Sequence, residues 1–82
     1  VRVPPDAHLA GKTLREAALP KESIVVAIRR NGRTLFPHGD TTLEPGDRVV
    51  ANVASGFGPR FRARIADGSR EARAAAAQRD EA

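Results

Sequence analysis

A histidine and an aspartate separated by one glycine are the residues of this chain that most resemble acid–base machinery. In that spacing the Asp40 carboxylate could orient the His38 imidazole as a general base. No cysteine is present, and Ser23, Ser55 and Ser69 lack the sequence context of an activated nucleophile. Aspartate after glycine is also common in turns, where it hydrogen-bonds nearby backbone. We therefore predict no catalytic residues and no enzymatic activity.

The chain also contains side chains of the types that bind metal ions. His8 and His38, together with Asp6, Asp40 and Asp47, are the nitrogen and oxygen donors that could bind a metal ion. Their spacing matches none of the usual ligand patterns, and two isolated histidines rarely suffice for a metal site. We predict no metal site.

The glycines and arginines after residue 54 raise the question of nucleotide or nucleic-acid binding. Residues 56–59 read Gly-Phe-Gly-Pro, with proline where a dinucleotide fingerprint needs a helix start. A basic strip with two phenylalanines follows, formed by Arg60, Arg62 and Arg64 with Phe57 and Phe61. The net charge of +4 nevertheless arises from 14 cationic residues set among 10 anionic ones. A solvated basic surface is the prediction, with no nucleic-acid partner.

The length of 82 residues indicates one small domain with a tail. A domain of this size buries only roughly 60–65% of its unfolded surface, so its own core provides marginal stability. Without cysteine neither a disulfide nor a thiolate metal site can add to it. Self-association is therefore expected. No stretch approaches the roughly 20 apolar residues of a membrane span, and no signal peptide is recognised, so we expect a soluble piece.

Two short elements are predicted near the start of the chain. Residues 1–3 alternate between valine and arginine, which is typical of a short strand. Thr13 and Glu16 match the capping box, in which each side chain binds the other residue's backbone amide. The pattern predicts a helix over about residues 14–19, ended by Pro20.

A long apolar strand is predicted over residues 24–30. Its alternation places Ile24, Val26 and Ile28 on one face. The opposite face is also largely apolar, which favours a central strand or one covered by a partner.

Two turns connect this strand to its predicted neighbours. Asn-Gly at 31–32 predicts a type I′ hairpin, because both residues tolerate positive φ. The returning strand covers about residues 33–36. A tight turn over 43–46 leads into a strand over 48–53.

Beyond residue 54 the pattern changes. Residues 60–65 alternate strictly between arginine and apolar residues, which predicts an added edge strand with a basic face. Residues 70–82 are rich in alanine and arginine and are interpreted as a frayed helix or disordered tail. The expected architecture is an α+β lobe over residues 1–54, in the order strand, helix and three strands with a hairpin, followed by a partly flexible tail over residues 55–82.

The stretch from 35 to 50 is the most informative part of the chain. It contains two Gly-Asp pairs seven residues apart, the second within a Leu-Glu-Pro-Gly-Asp turn that feeds an apolar strand. With the Ile-Arg-Arg-Asn-Gly segment over 28–32, it resembles the TrkA-C domain, the C-terminal ligand-binding lobe of potassium-conductance regulators. Further markers are Gly11-Lys12-Thr13-Leu14, Leu19-Pro20, Pro37 and Thr41.

The resemblance implies a function and a set of partners. It implies a regulatory lobe that forms a homodimer and serves a membrane-embedded transport domain, a potassium, cation or chloride channel or an antiporter. The place of action would be the cytoplasmic face of the cell membrane. Gating would occur through ligand-biased association of two lobes.

The resemblance also implies a ligand site. In some family members a cyclic dinucleotide, or another nucleotide, binds between two lobes, and by position this implies Ile24, Val25, Pro37 and His38. Nucleotide-binding copies tend to have an arginine near position 20 and an asparagine before the strand. Here these positions hold Pro20 and Ser23, so this chain lacks the arginine that would pair with the phosphates of the nucleotide.

Two alternatives remain at this point. The Leu-x-x-Gly-Asp-x-Val pattern over 43–49 also occurs in ubiquitin-like sulfur carriers, and Gly56 and Gly58 follow at a plausible distance. A sulfur carrier needs a terminal Gly-Gly, which this sequence lacks, and the chain continues well beyond Gly58. The other alternative is an oligomerisation module without a ligand.

Overall fold

A computed structural model describes residues 1–70 and 72–74 of the chain. Within these residues, three strands form one antiparallel sheet in which the first strand lies between the second and the third, and two helices flank the strands in sequence. This confirms a small α+β domain. The elements are α1 (Leu14–Ala17), β1 (Ser23–Arg30), β2 (Arg33–Leu35), β3 (Arg48–Val53) and α2 (Gly58–Ala66).

The first predicted strand is reduced to an extended segment along the outer edge of β3. Arg2 forms a single bridge with Arg48. The Val3 amide donates to the Asp47 carbonyl at 2.8 Å, which fixes the segment against the start of β3. The first element of the predicted order is therefore paired with the sheet but is not a full strand.

The hairpin was predicted correctly because its turn is encoded locally. Asn31 has a φ of 51° and Gly32 a φ of 77°, so both occupy the left-handed region that a type I′ turn requires. β2 pairs with β1 through Ile28 opposite Leu35. The strand ends at Leu35, one residue earlier than predicted.

A β-bulge in β1 changes which side chains face the core. The register against β3 shifts between Val25 and Ala27, so β1 carries one extra residue there. As a result Ile28 is fully buried, whereas Ile24 and Val26 are exposed. The prediction that Ile24, Val26 and Ile28 share one face is therefore wrong, because a bulge reverses the alternation beyond it.

The first helix is short and capped as predicted. The Thr13 amide donates to the Glu16 carboxylate at 2.9 Å, and the Glu16 amide donates to the Thr13 hydroxyl at 3.2 Å. The helix ends at Ala17 because Ala18 adopts a left-handed φ of 50°, so it is shorter than the predicted range 14–19. Among the residues that the structure describes, no helix is long and apolar enough to cross a bilayer.

Residues 60–65 form part of α2 and not the predicted edge strand. Pro59 lies in the first turn, where its fixed φ favours a helix start. Phe61 and Ile65 are buried while Ala63 is exposed, as the helical period requires. A strand would have placed all three on one face. Over so short a segment, the alternation of arginine and apolar residues is therefore compatible with the period of a helix as well as with that of a strand.

The core fills the space between one face of the sheet, the two helices and the segment before α1. It includes side chains from both sides of residue 54, namely Val3, Ala7, Leu9, Ala17, Ile28, Leu43, Val49, Phe61 and Ile65. Residues 70 and 72–74 are also helical. The remainder of the predicted frayed or disordered tail, residues 71 and 75–82, lies outside the described residues.

Candidate ligand and docking face

The face of the sheet directed away from the core carries an exposed apolar surface. Ile24 and Val26 on β1 are 69% and 40% exposed, and Val50 on β3 is 41% exposed. The pairing of Ala27 with Val50 places Val50 beside the bulge. We call Ile24, Val26 and Val50 the outer apolar patch. β-branched side chains of this size in solvent lose the stabilisation that burial would provide, about 1.5–3 kcal/mol each when complete.

The four residues of the predicted ligand site are divided between two faces. Ile24 belongs to the outer apolar patch, whereas Val25 is half-buried and packs against the core from the opposite face. Pro37 is half-buried and His38 is exposed, both in the loop after β2. Because β2 runs antiparallel to β1, this loop is directed toward the start of β1, where Ile24 lies. Val25 and Ile24 point to opposite faces because they are adjacent in the strand, and the bulge places Val25 on the core face together with Ile28.

The loop that holds His38 is fixed by hydrogen bonds to α1. The His38 amide donates to the Thr41 hydroxyl at 2.9 Å, and the Thr41 amide donates to the His38 carbonyl at 3.1 Å. The Arg15 amide donates to the Gly39 carbonyl at 2.9 Å, and the Leu14 amide to the Thr41 carbonyl at 3.0 Å. These two amides belong to the first turn of α1, which otherwise lacks partners. The first Gly-Asp motif thus forms a rigid turn.

The second Gly-Asp motif forms a buried ion pair that the sequence did not reveal. Arg30 donates from Nε and Nη2 to the two carboxylate oxygens of Asp47, both at 2.8 Å. Nη2 also donates to the Thr42 carbonyl at 3.0 Å, and Nη1 lies 2.6 Å from the Glu44 carboxylate. Asp47 is almost completely buried. The cluster ties the end of β1 to the turn before β3.

The protonation states of this cluster are set by competing effects. Burial raises the pKa of Asp47, but the hydrogen bonds from Arg30 and from the Glu44 amide, with the Arg30 charge, outweigh burial. The net pKa of Asp47 is therefore lower than that of an ordinary aspartate. The hydrogen bond to Asp47 in turn raises the pKa of Arg30. Both groups stay charged, so the cluster is a structural tie and not a proton-transfer site.

Three arginines lie side by side on the same face as the outer apolar patch. Arg29 on β1 pairs with Arg48 on β3, and Arg48 pairs with Arg2 in the adjoining segment. All three are exposed. Directly paired residues on neighbouring strands point to the same face, so these side chains form one row across the sheet. We call Arg2, Arg48 and Arg29 the arginine row.

The predicted basic strip on residues 60–64 is divided by the helix. Arg60 lies over the Phe57 ring, with its guanidinium carbon 5.4 Å from the ring centre. Arg64 donates to the Ala17 carbonyl at 3.0 Å and to the Asp67 carboxylate at 3.2 Å. An arginine at the last carbonyls of a helix stabilises its end. Arg64 therefore serves to fasten α2 to α1.

The donors considered for a metal site are dispersed in the structure. His8 lies 3.7 Å from the Asp67 carboxylate, and Asp6 accepts from the Arg70 amide at 2.8 Å. Asp47 is occupied by Arg30. Within residues 1–70 and 72–74, no three His, Asp or Glu side chains come together in a way that could hold a metal ion.

Comparison with known proteins identifies the class. A solved structure described as "Structure of RCK domain with cda" aligns over 73% of this chain and 87% of its own, with 28% identity and a TM-score of 0.62. The fold is therefore RCK-like. The profile of the TrkA-C domain matches residues 1–54, and the chain belongs to the TrkA-C domain family, a regulatory and typically non-catalytic family.

One curated relative connects this family membership to transport. The "Trk system potassium uptake protein TrkA homolog" of Archaeoglobus fulgidus is 46% identical over 43 residues, which are 52% of this chain. The match spans only 10% of that relative's length. Membership of the TrkA-C family confirms the resemblance seen in the sequence and replaces the ubiquitin-like sulfur-carrier interpretation.

Proposed function

We propose that this chain is a ligand-sensing regulatory lobe of a prokaryotic ion-transport protein and that it acts as a homodimer. The observation that carries the proposal is the outer apolar patch on a sheet face that no described element covers. Family membership and the potassium-uptake relative support the association with transport. The site of action is the cytoplasmic face of the membrane, beside or fused to a membrane-embedded channel or antiporter domain.

The partner at the patch is a second copy of this chain. A domain of about this size is marginal by itself, so covering three exposed β-branched side chains contributes directly to its stability. Phe36, which is 77% exposed directly after β2, adds apolar surface near the same edge. A two-fold arrangement places the same patch on both copies, which makes the contact self-complementary.

The ligand is a nucleotide of the cyclic dinucleotide class, bound where the two copies meet. Ile24, Pro37 and His38 form the near side of this site, and the neighbouring Val25 supports it from the core. A ligand that binds the dimer better than the separated lobes shifts the equilibrium by RT ln(1 + [L]/Kd). The transport domain would respond to that shift through its connection to the lobe. The RCK domain solved with cda, which is cyclic di-AMP, supports this choice of ligand.

Sedimentation equilibrium of the 82-residue chain, with and without cyclic di-AMP, tests the proposal. The wild type is expected to dimerise and to dimerise more tightly with the nucleotide. Ile24→Glu should weaken association roughly tenfold or more, because it places a charge in the apolar contact. Ala63→Glu, an equivalent change on the exposed side of α2, is the matched control and should leave association unchanged.

The outcomes separate the proposal from its alternative. A chain that stays monomeric at high concentration, with or without nucleotide, would refute the dimer. A dimer that is abolished by Ile24→Glu but does not respond to cyclic di-AMP would indicate a ligand-free oligomerisation module, which the same patch also supports.

A further inference from the structure

The arginine row concentrates positive charge that the described chain does not neutralise. Strands lie about 4.7–4.9 Å apart, so three paired positions extend over roughly 10 Å. Like charges at directly paired positions repel. Arg30 and Arg64 have carboxylate partners, but within the described residues Arg2, Arg29 and Arg48 have none. A sheet face with this arrangement is complementary to an elongated anion.

The row lies beside the outer apolar patch. Arg48 is two residues from Val50 on β3, and Arg29 follows Val26 by three residues on β1 beyond the bulge. The same face therefore offers apolar side chains and guanidinium groups next to each other. A ligand with flat apolar rings and phosphate groups can contact both. In a two-fold contact through the patch with its axis along the strands, the two arginine rows also come close together, which disfavours association unless an anion lies between them.

We propose that the arginine row binds the phosphate groups of a soluble phosphorylated ligand, and that phosphate binding there relieves the repulsion between two copies. Guanidinium groups bind phosphate oxygens through paired, charge-assisted hydrogen bonds, which makes arginine well suited to this task. Arg29 and Arg48 lie near the end of β1, whereas Pro20 precedes its start, so the row is a cationic site separate from the position of Pro20. The coupling to association rests on the proposed function, whereas the anion site rests on the row alone.

Calorimetric titration of the 82-residue chain with inorganic pyrophosphate at low, constant ionic strength tests the site. The double variant Arg29→Gln/Arg48→Gln should lose roughly tenfold or more in affinity, because two guanidinium partners are removed. Arg33→Gln removes another exposed arginine, from β2, and should change affinity less than about twofold. Equal losses in both variants, or no binding by the wild type at millimolar pyrophosphate, would overturn the proposal. Thermal unfolding of each variant checks that the fold is retained.

Sedimentation equilibrium then tests the coupling. Pyrophosphate should tighten the wild-type dimer. Without pyrophosphate, the double variant should dimerise more tightly than the wild type, and its association should not change when pyrophosphate is added. If the wild type binds pyrophosphate but never dimerises, the anion site stands and the dimer proposal fails. Vesicles of phosphatidylglycerol provide the last arm: row-dependent binding to vesicles without binding to pyrophosphate would assign the row to a membrane surface and refute the soluble ligand.

Discussion

At the scale of single residues, Asp47 is the side chain on which most local structure depends. It accepts two hydrogen bonds from Arg30 and one from the Glu44 amide. Asp47→Asn keeps the shape but removes the charge, so Arg30 loses its main partner while remaining partly buried. We expect the free energy of unfolding, measured by urea denaturation, to fall by about 2–4 kcal/mol.

The matched control is Asp40→Asn. Like Asp47, Asp40 follows a glycine, but Asp40 is exposed and its side chain forms no hydrogen bond or ion pair within the described residues. Its replacement should change the free energy of unfolding by less than about 0.5 kcal/mol. Equal effects at the two positions would show that the ion pair contributes little.

The same residue predicts a dependence of stability on acid. The pKa of Asp47 is lower in the folded chain than in the unfolded chain, so in acid the unfolded state binds a proton more readily. This contribution is fully present above the unfolded pKa of about 4 and is lost as the pH falls through the lower folded pKa. Thermal unfolding between pH 6 and pH 2 should show a fall in stability that is smaller in Asp47→Asn. Parallel profiles for the two proteins would contradict the prediction.

At the scale of elements, the helical structure of α2 can be tested most directly. Ile65→Ala removes a fully buried side chain and should lower the free energy of unfolding by about 2–4 kcal/mol. Ala63→Ser, two residues earlier, changes an exposed position and should cost less than about 0.5 kcal/mol. A strand would place both residues on one face. Similar costs at 63 and 65, measured by urea denaturation, would therefore argue against the helix.

How much of each element could be predicted depends on whether its determinants are local. The hairpin follows from Asn31-Gly32 alone, and the start of α1 from Thr13 and Glu16, because both signals act within four residues. The strand β3 was predicted with its observed bounds, since its apolar alternation follows a tight turn. For α2, six alternating residues fit a helix as well as a strand, and only burial decides between them.

The candidate site was less predictable for the same reason. The bulge that turns Val25 inward depends on the pairing of β1 with β3, which no short segment specifies. The arginine row arises when Arg2, Arg29 and Arg48 are brought together from three distant parts of the sequence. Arg30 and Asp47 both lie in segments that carry the family resemblance. No sequence pattern, however, predicts an ion pair between two residues that are 17 positions apart.

At the scale of the whole molecule, the question is whether residues 1–54 form a complete folding unit. The TrkA-C match and the predicted lobe both cover this range, and the division of the chain at residue 54 is a prediction from the sequence. Phe61 and Ile65 nevertheless lie in the core, and Arg64 caps α1 through the Ala17 carbonyl. We propose that folding requires α2 as well.

Truncation after Ala54 tests this proposal. The shortened chain loses the burial of Phe61 and Ile65, for which large-to-small changes alone cost about 2–5 kcal/mol each, and it exposes the core side chains that they cover. Since small domains have only about 5–15 kcal/mol of total stability, we expect the truncated chain to lose cooperative thermal unfolding while the 82-residue chain retains it. Full-length Ile65→Ala should fall between the two, because the helix remains to cover the sheet. A truncated chain that unfolds cooperatively with the stability of the full chain would show that the lobe over residues 1–54 is complete and that α2 is an addition to it.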